Sequence, residues 1–190
     1  KLLKDKFNIP HISLGDMLRD EVRVGSVIGK KAGELMNAGR LVPDELTIEL
    51  TRQRLGKTDC QNGFILDGYP RSQAQAEALD NILAELKIKL DRVVYFQVDE
   101  DEIVGRLSGR RSCKKCGSVY HVKFNPPKAD NICDNDGEPL YQRQDDEEAA
   151  IRTRFEVYSQ QTVPILERYK KTGELVTVNA QGSIETILAR

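Results

Sequence analysis

Only two histidines, His11 and His121, occur in the 190 residues, and no Ser-His-Asp arrangement or His-Glu-x-x-His motif is present. Hydrolysis through a nucleophilic triad therefore has little to build on. Charge of one sign is also lacking. The 29 basic and 30 acidic residues leave a net charge of −1, so no global basic field exists to hold duplex DNA or an anionic membrane. No apolar run approaches the roughly 18 residues of a membrane span, and no signal peptide opens the chain. Cysteine is sparse: Cys60, Cys113, Cys116 and Cys133. Without a secretory signal a disulfide framework is the weaker reading, and a reducing, cytoplasmic compartment is expected. An initiator Met is missing too. Lys1–Phe7 reads as the last turns of an amphipathic helix, and Ile187–Arg190 stops inside a helical pattern, so the chain is expected to be a fragment.

What is present alternates between strand-like and helix-like segments. Ile9–Ser13, Gly63–Gly68, Arg92–Val98 and Leu175–Val178 read as strands, with short apolar or β-branched runs. Between them lie helical stretches: one opening at Gly15-Asp16, one from about Ile28 to Ala38 stopped by Gly39, and one starting at Pro43-Asp44-Glu45. Ser72-x-x-Gln75 matches a capping box. Asp99–Glu102 caps a helix expected to carry Arg106 and Arg110 on one face, at i and i+4. A long helix from Asp145 is expected to kink at Pro164. Such alternation predicts an α/β fold with a parallel sheet and helices on both faces, and ligands at the carboxyl ends of its strands.

From Gly109 to Asp146 the texture changes to Pro, Gly, Asn and Cys, with short strands at Val119–Val122 and Leu140–Tyr141. This insert is too small to hold a core unaided. It carries Cys113-x2-Cys116 and, 16 residues later, Cys133-x2-Asp136, each pair on a glycine-bounded turn. Three thiolates and a carboxylate form a closed tetrahedral shell for structural zinc. Asp134 and His121 are rivals to Asp136 for the fourth position, and Cys60 reads as a buried bystander.

Arginine recurs where strands end or helices face the insert: Arg19, Arg71, Arg106, Arg110, Arg143 and Arg154. A guanidinium binds phosphate bidentately and stays charged. Phosphoryl transfer asks mainly for positioning and charge neutralisation, with no protein nucleophile. In Asp67-Gly68-Tyr69-Pro70-Arg71 a buried strand delivers a carboxylate suited to Mg²⁺ and its waters, with an arginine beside it.

Five segments, in order, resemble the adenylate kinase family in its bacterial long-lid form: Ser13–Arg19, Gly63–Arg71, Gly109–Arg111, Tyr120–Pro127 and Arg143–Asp146. The resemblance covers essentially the whole chain. It implies a P-loop-kinase-like core (residues 1–12, 43–108 and 147–190), a small helical AMP-binding insert (13–42) and a zinc-bearing, β-rich lid (109–146). It further implies reversible phosphoryl transfer, ATP and AMP giving two ADP with Mg²⁺. A monomer is expected, and the balanced charge predicts that it binds no nucleic acid or membrane. By resemblance, Arg19 and Arg71 hold the AMP phosphate and Gln75 meets the adenine through its amide. Leu14, Arg40, Val42 and Gly68 line the AMP pocket. Arg106, Val119, Tyr120 and Gly182 serve ATP. Arg110, Arg143 and Arg154 surround the transferring phosphoryl group, the last two also touching AMP. Asp67 anchors the magnesium waters, and Asp145 and Asp146 help close the lid.

Two departures qualify the resemblance. The family's first strand and glycine-rich phosphate loop have no counterpart in these residues. Such a loop cradles the ATP phosphates with its N–H groups, so the 190 residues by themselves are expected to be inactive. Leu14 stands where the family usually has Thr. The alternatives are a related nucleoside monophosphate kinase with another base preference and a non-catalytic nucleotide-binding or zinc-scaffold fragment.

Overall fold

The computed structural model describes residues 2–190 and divides into two compact units. The first holds the residues up to Met36, Leu41–Tyr95 and Val157–Thr177. It opens with α1 (Leu2–Phe7) and β1 (His11–Ser13), followed by α2 (Leu14–Val24), α3 (Val27–Asn37) and α4 (Asp44–Leu55). Then come β2 (Ile65–Asp67) and α5 (Gln73–Leu86). β1 and β2 run parallel, with His11 opposite Ile65 and Ser13 opposite Asp67. Their carboxyl ends therefore deliver Ser13 and Asp67 side by side.

Local chemistry starts each helix where the strand stops. Ser13 keeps extended backbone while its Oγ accepts the Asp16 N–H at 3.3 Å, an N-cap for α2. Ser72 does the same for α5 through the Gln75 N–H. Leu14 and Leu18, one turn apart on α2, pack with Ile12, Val42, Leu55, Tyr69, Leu79, Ile82 and Leu83 in one buried cluster. Ile82 is almost wholly enclosed, and burying such a side chain contributes about 1.5–3 kcal/mol.

β3 (Val93–Gln97) pairs with β7 (Leu175–Asn179). Among the described residues this pair is not hydrogen-bonded to β1–β2, so the expected sheet is present as two two-stranded pieces. The long helix expected from Asp145 is α7 (Glu148–Val157), a π turn (Tyr158–Thr162) and α8 (Val163–Thr172). Pro164 has no N–H, and its ring crowds the carbonyl four residues back. The ladder re-spaces ahead of it, so the break falls in the preceding turn.

The second unit holds Asn37–Arg40, Phe96–Glu156 and Val178–Arg190. It contains α6 (Glu100–Ser108) and an antiparallel sheet of β4 (Arg110–Cys113), β5 (Val119–His121) and β6 (Leu140–Tyr141), with β4 in the centre. α9 (Ile184–Leu188) ends the chain. One expectation is corrected here. Arg110 does not share a helix face with Arg106, because α6 stops at Ser108 and Arg110 begins β4. The last carbonyls of α6 lack helical partners, and the Ser108 carbonyl accepts instead from Arg111 Nη1 and Gln142 Nε2, both at 3.2 Å. No helix of the described residues is long and apolar enough to cross a membrane.

Candidate functional site

In the first unit the segment after β2 is organised by Gly68. Its backbone lies at φ +74°, and a Cβ there would sit 2.8 Å from Arg71 Nη2. The guanidinium of Arg71 thus folds over the glycine, its Nε donating to the Gly68 carbonyl at 2.8 Å. The backbone of Arg71 is pinned twice more: its N–H donates to Gln75 Oε1 (2.7 Å), and its carbonyl accepts from Thr162 Oγ1 (3.0 Å). Arg19 rests over Gly15 in a similar way, with Nη2 donating to Asp16 Oδ1 at 2.6 Å. Asp67 stays exposed at the strand end, its Oδ2 3.1 Å from His11 Nε2. An exposed carboxylate at a strand end suits a hydrated divalent cation.

Gln75 is buried, and its amide is largely engaged by the protein. Nε2 donates to Asp44 Oδ1 (2.7 Å) and Thr47 Oγ1 (3.1 Å), while Oε1 accepts from Arg71. Only the second lone pair of Oε1 remains to offer a ligand. Sequence reading placed Gln75 in a reciprocal capping box, but its side chain turns to Asp44 instead of returning to Ser72. Asp44 is the residue that reading missed: it also accepts from Ser72 Oγ at 2.8 Å. Its only signal was its place at a helix start after Pro43. Burial first, and the Asp44 charge second, push the Tyr69 phenol well above its ordinary value. Leu14 and Val42 lie in the buried cluster.

In the second unit the structure brings Arg106 and Gly182 together, with Nη2 donating to the Gly182 carbonyl at 3.2 Å and also to Glu102. Arg110 grips Asp146 with two parallel bonds, Nε to Oδ2 at 2.8 Å and Nη2 to Oδ1. Asp146 is fully enclosed. Arg143 Nε donates to Ser112 Oγ (3.0 Å), and Arg154 Nη1 reaches the Asp145 carboxylate at 3.4 Å. Arg40 is exposed. Val119 is exposed on β5, whereas Tyr120 joins the buried cluster of Cys113, Cys133 and Leu140, its hydroxyl accepting the Asp134 N–H at 2.9 Å. A ligand at this strand meets the backbone of Tyr120, not its ring.

Cys113, Cys116, Cys133 and Asp136 converge, with one donor atom from each inside 4.8 Å. Cys113 Sγ is 3.4 Å from both Asp136 oxygens, and Cys116 Sγ is 3.5 Å from Cys133 Sγ. Burial works against the Asp136 carboxylate, but the Glu138 N–H and the surrounding thiols outweigh it and hold its pKa at about 2. The rivals point elsewhere: Asp134 accepts the Lys128 N–H at 2.9 Å, and the His121 ring bonds its own turn and the Gly105 carbonyl. Three soft thiols and a carboxylate on one point fit zinc. Cys60 is enclosed, with Arg54 Nη1 3.0 Å from its sulfur.

A family model described as adenylate kinase matches residues 1–174. An adenylate kinase of Geobacillus sp. (strain WCH70) is 52% identical over 185 residues, 97% of this chain and 86% of that protein. One from Methanocella arvoryzae is 49% identical over 189 residues, covering 100% and 88%. One from Caldicellulosiruptor saccharolyticus is 51% identical over 182 residues, covering 96% and 85%.

Proposed function

Since this chain belongs to the adenylate kinase family of α/β nucleoside monophosphate kinases, which interconvert ATP plus AMP and two ADP, we propose how its residues divide that work. Residues 13–42 form the AMP-binding insert, 109–146 the lid, and the remainder the core. Arg19 and Arg71 take the AMP phosphate, the backbone near Arg40, Val42 and Gly68 lines the pocket beside Leu14, and Gln75 offers Oε1 to the adenine amino group. Arg106, Gly182 and the β5 backbone at Val119 and Tyr120 receive ATP. Arg110, Arg143 and Arg154 neutralise the charge on the phosphoryl group in flight, which is the main demand of this chemistry. Asp67 orders water on the Mg²⁺ that accompanies ATP. Lid closure excludes water and so suppresses hydrolysis.

Zinc would be held by Cys113, Cys116, Cys133 and Asp136. It supplies no reaction chemistry, since a closed protein shell leaves no open position. We further propose a cytoplasmic monomer that binds neither nucleic acid nor membrane, in line with the balanced charge.

The observation that carries the AMP assignment is Arg71, with its backbone pinned by Gln75 and Thr162 and its guanidinium seated over Gly68. A lysine has neither the planar fork nor the five donors. In the active enzyme Arg71→Lys should lower kcat/KM by roughly 10²–10³, while an exposed Arg23→Lys change leaves it within about twofold. Equal values in steady-state kinetics would reduce Arg71 to a loop residue.

A polypeptide of these 190 residues alone should form no measurable ADP from ATP and AMP, because its ATP phosphates lack a glycine-rich loop. Joining a strand–loop–helix segment ahead of Lys1 should restore turnover. Equal activity in the two polypeptides would mean that the phosphates rest elsewhere.

A further inference from the structure

We propose that His121 is a positioning residue for the ATP side, its imidazole tying the last turn of α6, beside Arg106, to the lid turn at residues 121–125. This rests on the assignment of Arg106 to ATP. Nδ1 of the ring accepts two backbone N–H groups, from Lys123 at 3.0 Å and Phe124 at 3.2 Å. That nitrogen therefore carries no proton. The neutral ring has its proton on Nε2, which faces the Gly105 carbonyl at 3.3 Å. Gly105 lies in the last turn of α6, where carbonyls have no helical donor. One ring thus satisfies two lid amides with one nitrogen and an orphan carbonyl of α6 with the other.

A second observation stands apart from these bonds. Gly109, the residue joining α6 to the lid, has φ −82°, a conformation open to any residue. A Cβ there would nevertheless fall 2.4 Å from His121 Nε2 and 2.5 Å from Cε1. Glycine is needed at this position for the space it leaves to the ring. The joint is otherwise closed by the Val122 N–H on the Gly109 carbonyl (3.0 Å) and by Phe124, whose ring centroid lies 4.5 Å from that of His121. Two charged neighbours are paired: Arg106 binds Glu102, and Arg110, opposite His121 in the β4–β5 register, binds Asp146. His121 is the neutral piece between them.

A local role and a tying role predict different things. If the ring only satisfied its turn, asparagine would replace it, since Oδ1 accepts from following N–H groups in the same way. If it ties the turn to α6, asparagine keeps the lid folded but lets Arg106 drift. In the active, zinc-loaded enzyme, His121→Asn and Gly109→Ala should each retain zinc and raise the KM for ATP by roughly 5- to 10-fold, about the worth of one hydrogen bond. The KM for AMP should hold. Adding either change to Arg106→Ala should cost nothing further, because residues that act through one another are not additive. Ring ¹⁵N spectra should show the proton on Nε2 in the parent, with that signal shifted in Gly109→Ala. A wild-type KM for ATP in His121→Asn, full additivity with Arg106→Ala, or a proton on Nδ1 would each overturn the tie. If Arg106→Ala leaves the KM for ATP unchanged, the ATP assignment falls instead. The tie is then decided by the spectrum of Gly109→Ala, where an unshifted Nε2–H signal overturns it and a shifted one supports it.

Discussion

The buried cluster of the first unit and that of the lid solve the same problem with unequal means. The first gathers eleven buried side chains, eight from β1 and helices α2 to α5 and three (Val42, Cys60 and Tyr69) from the segments between them, so apolar burial can carry it. The region around β4–β6 has four, Cys113, Tyr120, Cys133 and Leu140, and two of these are thiols of the cluster that could hold a metal. A strand trio this small falls below what a hydrophobic core can hold. With the proposed zinc in place, the two regions would depend on different conditions: one on packing volume, the other on a metal and on the protonation of its ligands.

Chelating the metal is the strongest way to test that contrast. Structural zinc contributes about 10–16 kcal/mol to small domains at neutral pH. Its removal should melt residues 110–141 while the first unit keeps its amide protection, as read by hydrogen exchange. Uniform loss of protection in both regions would erase the distinction. Next in size is Ile82→Ala, which opens a cavity in the larger cluster and should cost about 2–5 kcal/mol in denaturant melts. Zinc content should not change with it. A small loss, under about 1 kcal/mol, would show that this cluster is loosely packed. The smallest effect is expected from Asp136→Cys, which completes a four-thiolate shell. It should keep one zinc per chain by native mass spectrometry and leave the thermal midpoint nearly unmoved. Loss of zinc would mean that the carboxylate does something a thiolate cannot.

Much of this was legible in the sequence because it is local. The strand at Ile65–Asp67, the cap at Ser72 and the cysteine turns each declare themselves within a few residues. Arg110 was misread because i and i+4 spacing looks helical on paper, whereas Gly109 ends α6 one residue earlier. The break near Pro164 was foreseen, but its place in the preceding turn follows from a backbone adjustment that spacing does not encode. Asp44 escaped notice because its partners, Ser72 and Gln75, lie some thirty positions away, and nothing local signals a contact of that range. The three cysteines were plain and the turn spacing already favoured Asp136; the directions of Asp134 and His121 then set the two rivals aside.

The paired grip of Arg110 on Asp146 has a consequence for timing. A free arginine side chain surrenders roughly 2 kcal/mol of rotamer entropy when it is fixed. Here the carboxylate has already halted that rotation in the folded chain, before any nucleotide arrives. The donors that Asp146 does not occupy keep a set direction, so in the phosphoryl-neutralising role proposed for Arg110 they would meet the phosphate already aimed.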